Sequence, residues 1–184
     1  MKDIKPITPT SSQTNSIKYI SQDALTAFVK EGFIVVSNKK ANRPFNLLHY
    51  NKVIAYDYDS ENGESNLNIV ENNRLVLKIK KQKQLNQKQV DQLTDLLGSN
   101  STYGNTYAFC FVPHLGIVFY YNDKIIMSVS ISIGCNFLNS SVPIPATKAK
   151  YIEIDKDYKY PAEGFSKKGR LRFILLAKDL KFSI

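Results

Sequence analysis

Gly116-Ile117-Val118-Phe119-Tyr120-Tyr121-Asn122-Asp123-Lys124-Ile125-Ile126-Met127-Ser128-Val129-Ser130-Ile131-Ser132-Ile133 is the stretch from which the fold can be worked out. Met127, Val129, Ile131 and Ile133 alternate with Ser128, Ser130 and Ser132. A period of two sends successive side chains to opposite faces of a strand, here one apolar and one small and polar. Gly116–Tyr121 is also strand-like, and Asn122-Asp123 tolerates the positive φ angles of a two-residue hairpin turn. An antiparallel β-hairpin follows. Phe109–Val112 reads as an upstream continuation of its first strand, interrupted at Pro113. Further strands are expected at Val53–Tyr58, Arg74–Lys80 and Tyr151–Ile154.

Three helices are expected around these strands. The first covers Ser21–Glu31, with Ser21 as cap, Leu25, Phe28 and Val29 as the apolar stripe and Gly32 as the stop. The second covers Gln87–Leu97, with Asn86 as N-cap and Gln89 three residues on, and its core face is Val90, Leu93, Leu96 and Leu97. The third covers Lys167–Leu180 behind Ser166. There Phe173, Leu176, Ala177 and Leu180 form one stripe, and Leu171, Ile174 and Leu175 widen it enough to suggest deep burial against a sheet. Strands and helices do not alternate regularly as in a doubly wound fold. The expected class is therefore α+β: an antiparallel sheet with about three helices packed mainly on one face. Residues 1–16 read as a flexible N-terminal linker and residues 17–184 as a single globular domain.

The chain has 184 residues and a formal net charge of +9, spread as +5 over residues 1–92 and +4 over residues 93–184. Hydrophobic residues make up 43%, which argues against disorder and allows a real core. No apolar run approaches the roughly 18 residues a membrane-spanning helix needs. The positive balance favours an acidic protein, a nucleic acid or an anionic surface as partner; solvated lysines are the alternative reading. After Met1, residues 2–16 are rich in Pro, Ser, Thr and Asn, without the apolar core of a signal peptide. They suit the tether of a periplasmic or lipid-anchored protein whose leader has been removed, and equally the frayed start of a cytoplasmic chain.

Candidate chemistry is sparse. Cys110 and His114 are the pair to consider for a cysteine nucleophile, but on one strand they would lie about 13 Å apart at ~3.3 Å per residue. Only a sharp turn at Pro113 would join them. His49 reaches Cys110 or Cys135 only through tertiary folding, and His49 and His114 with Asp57 or Asp59 lack metal-ligand spacing. The loop Asp57–Gly63 lacks the distal Glu of a calcium loop. No metal or cofactor is called. Cys110 and Cys135 flank the hairpin; they pair in an oxidising compartment or stay as buried thiols in a reducing one. Basic clusters stand at Lys78, Lys80, Lys81 and Lys83, and at Lys167, Lys168, Arg170 and Arg172. The second cluster opposes its helix dipole, so helix stability does not explain it. With Tyr103, Tyr107, Tyr120 and Tyr121 as stacking candidates, a nucleic-acid surface is an alternative.

The segments Cys110–Tyr120, Lys124-Ile125-Ile126 and Ile131-Ser132-Ile133-Gly134-Cys135-Asn136, with the tail Gly164–Gly169, resemble a group of uncharacterised small bacterial proteins of the Bacteroidetes type. In that group a Cys-aromatic-x-Pro segment leads into a β-hairpin that ends at a second cysteine. The similarity covers residues 108–182. It implies a fold and an exported or lipid-anchored location, not a mechanism. The group often has CxxC on the second strand, where this chain has Ser132, and basic or His residues after the proline, where it has His114-Leu115.

Together these features point to a non-enzymatic binding protein, immunity- or inhibitor-like, with another protein as partner. Tyr103, Tyr107, Arg170 and Arg172 are its expected contact residues, because aromatic and arginine anchors dominate interfaces. The alternatives are an enzyme using Cys110 and His114, and a nucleic-acid binder.

Overall fold

The computed structural model describes residues 34–58, 68–75, 78–153, 156 and 158–183. Its centre is a five-stranded sheet in the order β4-β1-β6-β7-β8. The strands are β1 (Lys52–Tyr58), β4 (Ile79–Gln84), β6 (Leu115–Tyr121), β7 (Lys124–Ser132) and β8 (Phe137–Ser140), and every neighbouring pair is antiparallel. The expected hairpin is β6–β7, turning through Asn122 at φ 47° and Asp123 at φ 63°. Short two-stranded pairs surround the sheet. They are β2 (Val70–Glu71) with β3 (Arg74–Leu75), β5 (Tyr103–Asn105) with β11 (Gly164–Phe165), and β9 (Tyr151–Glu153) with β10 (Lys159–Pro161). The strand expected at Arg74–Lys80 is thus divided between β3 and β4.

Two α-helices occur among the described residues, α1 (Gln87–Gly98) and α2 (Lys167–Asp179). The capping box at α1 is complete: Gln89 N–H donates to Asn86 Oδ1 (2.9 Å), and Asn86 N–H donates to Gln89 Oε1 (3.1 Å). Ser166 caps α2 by accepting from Gly169 N–H at 3.1 Å. Gly169 has no room for a side chain, since a Cβ there would stand 2.3 Å from the Thr102 carbonyl oxygen. That close approach seats the start of α2 on the 3-10 turn Asn100–Thr102.

The expected three-helix α+β packing is corrected. Among the described residues the architecture is mostly antiparallel sheet with two helices, and the helix expected at Ser21–Glu31 lies outside them. The physical reason is that both sheet faces are occupied, and among the described residues only one of them by helices. Val53, Ala55, Ile117, Phe119, Val129 and Ile131 pack with Val90, Leu93 and Leu97 of α1 and Phe173 and Ala177 of α2. On the opposite face Tyr56, Tyr58, Val118 and Tyr120 pack with Ile69, and Val70 and Leu75 of the β2–β3 hairpin cover them. Gly116 makes this possible: a Cβ at that position would come within 2.5 Å of Ile69 Cγ1.

The wide stripe of the last helix is corrected too. Leu171 and Leu175 are about half exposed, whereas Phe173 and Ala177 are fully buried. At 100° per residue, positions 171 and 175 lie about 160° around the helix from Phe173, so one sheet cannot cover both sets.

Candidate functional site

The stretch expected to extend β6 upstream, Phe109–Val112, is a loop instead. Its shape is set by a disulfide between Cys110 and Cys135, with Cα atoms 5.7 Å apart at a sequence separation of 25. Hydrogen bonds from both sides of the bridge complete the tether. Ala108 N–H donates to the Cys135 carbonyl (3.0 Å). Ser132 Oγ donates to the Val112 carbonyl (2.9 Å) and accepts from Val112 N–H (3.3 Å). Asn136, at φ 62°, donates through Nδ2 to the carbonyls of Thr106 (2.8 Å) and Phe165 (3.1 Å). Two loops and the lead-in to α2 are thereby fixed to one end of the sheet.

This tether arranges four aromatic rings. Tyr107 stacks on Phe137 with centroids 4.5 Å apart, and Phe111 meets the same ring edge-on at 6.0 Å. Phe109 has a relative exposure of 108%, so its ring projects wholly into solvent. A large apolar side chain held away from the core on an anchored loop gives up burial that it could supply as a contact anchor.

Beside the loop, between the β6–β7 end of the sheet and α2, lies an open cavity of about 520 Å³. Its accessible floor is Ile133 and Ile174, with Leu115 and Ile131 buried beneath; His114, Arg170 and Lys178 stand at its rim. Arg170 Nε–H donates to the Ile133 carbonyl at 3.1 Å, which fixes the guanidinium there. No carboxylate is found among the described lining residues.

The four expected contact residues have different fates. Tyr107 and Arg170 belong to this end of the molecule. Arg172 is on another side of α2, paired with Asp95 at 3.1 Å. Tyr103 is in the core, its hydroxyl donating to the Leu97 carbonyl at 2.8 Å, and burial raises its phenol above the ordinary value. Tyr120 is also buried and shares a 2.8 Å hydroxyl contact with Tyr56. Burial first, then that hydrogen bond, raises the Tyr120 phenol. Tyr121 remains half exposed at the far end of the hairpin.

Both sulfurs are committed to the disulfide, so in this oxidised form neither Cys110 nor Cys135 offers a thiolate to His114. Asp57 is buried in β1 and accepts from Ser183 N–H at 2.9 Å, away from solvent chemistry; Asp59 lies outside the described residues. Among the described residues no group of three or more His, Cys, Asp or Glu side chains is placed to hold a metal ion. No described helix is long and apolar enough to cross a membrane. No protein-family model, curated protein or solved structure matches the chain.

Sequence reasoning missed Phe109, Phe111 and Phe137 as a cluster, and Ile133, Ile174 and Lys178 as a groove. The available signal was the placement of the two cysteines on either side of the hairpin. A bridge between them forces the aromatic residues around Cys110 out of strand register and onto the surface.

Proposed function

We propose that this chain is a binding protein whose partner is another protein with an acidic contact surface, in the manner of an immunity or inhibitor protein. The observation that carries this reading is Phe109, fully exposed at the tip of a loop anchored by the Cys110–Cys135 bond. Interfaces concentrate their energy in a few aromatic and arginine anchors, and a pre-ordered loop loses little entropy on docking. Arg170 stands on the same end of the molecule, and the net charge of +9 favours encounter with an acidic surface.

Site-specific photocrosslinking in the native host tests the reading. A benzophenone side chain placed at Phe109 should give one discrete protein adduct. The same group at Lys88, on α1, should not. Adduct yield should fall about ten-fold in an Arg170→Glu background, the equivalent of one charged contact. Equal crosslinking from both positions, or a yield indifferent to Arg170→Glu, overturns it.

A further inference from the structure

The groove beside the loop is built differently from the loop's tip. The tip offers an aromatic side chain to something larger, whereas the groove is concave and has room for something small. Its volume of about 520 Å³ falls within the range of small-molecule sites, roughly 300–1,000 Å³. Leu115 and Ile131 lie fully buried beneath it and Ile133 and Ile174 are half-buried, so the accessible floor is the branched aliphatic carbon of two isoleucines. Arg170 and Lys178 stand exposed above it with His114 between solvent and floor, and no described lining residue carries a negative charge. One end is open at Gly134, where a Cβ would meet no atom within 4 Å.

We propose that this groove binds a free amphiphilic carboxylate, with its hydrocarbon chain on the isoleucine floor and its carboxylate between Arg170 and Lys178. Two features favour a hydrocarbon acid over the carboxyl end of a peptide. A peptide carries amide groups that lose free energy when placed on carbon without hydrogen-bond partners. The floor side chains are aliphatic, and every charged side chain lining the groove is cationic. Arg170 is already oriented by its bond to the Ile133 carbonyl, so little side-chain ordering accompanies binding. This site shares Arg170 with the protein-partner reading but not Phe109, which does not line it.

Calorimetric titration of the intact, oxidised chain with decanoate, decanol and acetate tests it. Decanoate should bind saturably with one molecule per chain. Decanol should bind about ten-fold or more weakly, since it lacks the charge-assisted contacts, and acetate should not register. Lys178→Glu should weaken decanoate by about ten-fold or more. Gly134→Leu, which the open space around Gly134 accommodates, should block the mouth and remove binding while thermal unfolding stays at the wild-type temperature. Decanol binding as tightly as decanoate, undiminished binding by Gly134→Leu, or no saturable decanoate binding each overturns the proposal. None of these outcomes bears on the Phe109 crosslink, so the two readings fail separately.

Discussion

The two faces of β7 differ in how they hold the molecule together. On one face Met127, Val129 and Ile131 are fully buried among aliphatic and aromatic side chains from both helices. On the other, Ser128, Ser130 and Ser132 are also buried, but two of them hold other parts of the chain by hydrogen bonds. Ser130 Oγ accepts from Ile69 N–H at 2.8 Å, and Ser132 Oγ ties Val112. One face stabilises by removing carbon from water, without direction. The other contributes little net energy per bond but specifies where each loop lies. The candidate site needs both: Ile131 underlies the groove that Ile133 floors, and Ser132 with the disulfide positions the aromatic loop next to it.

The largest effect should come from the apolar face. Phe119 is fully buried and meets the Phe45 and Tyr50 rings at 5.7 and 5.1 Å. Phe119→Ala should destabilise the fold by about 3–5 kcal/mol in chemical denaturation. A loss under about 1 kcal/mol would mean that the aromatic cluster repacks and that this face is not the main source of stability. The paired change Cys110→Ser with Cys135→Ser should follow. Freeing a loop closed across a sequence separation of 25 returns about 3.5 kcal/mol of chain entropy to the unfolded state. Native-state hydrogen exchange should accelerate most at Ala108 and Val112, while Val129 and Ile117 keep their protection. Uniform acceleration across β6 and β7 would show instead that the bridge supports the whole sheet.

Much of the apolar face was legible in the sequence because periodicity reports it directly. The β6–β7 hairpin, its Asn122-Asp123 turn and the Asn86–Gln89 capping box all stand where their local chemistry puts them. The errors share one cause, contacts made far along the chain. Alternation showed that Ser130 would sit on a polar face, but not that Ile69, 61 residues away, would bury it. Phe109–Val112 read as a continuation of the next strand, but the bond to distant Cys135 holds it as a loop. Tyr103 was expected at the contact surface as an aromatic anchor, yet Leu97 and Phe165 enclose it. Apolar width in α2 suggested burial, although a helix has more sides than one sheet can cover.

The smallest effect belongs to the tethering face, and it separates the two modes of stabilisation. Ser130 is almost wholly buried, and its side chain also hydrogen-bonds the hydroxyl of buried Tyr58. Ser130→Ala removes one oxygen and leaves Ile69 N–H buried without its acceptor. The expected loss is about 1–3 kcal/mol, most of it the penalty of the orphaned donor rather than the bond itself. Because Ile69 rests on Gly116 without holding the helices, the change should be local. Hydrogen exchange should quicken at Ile69 while the amides of α1 and α2 stay as slow as in the parent. If both helices quicken equally, the serine face carries global stability, and the division between a packing face and a tethering face fails.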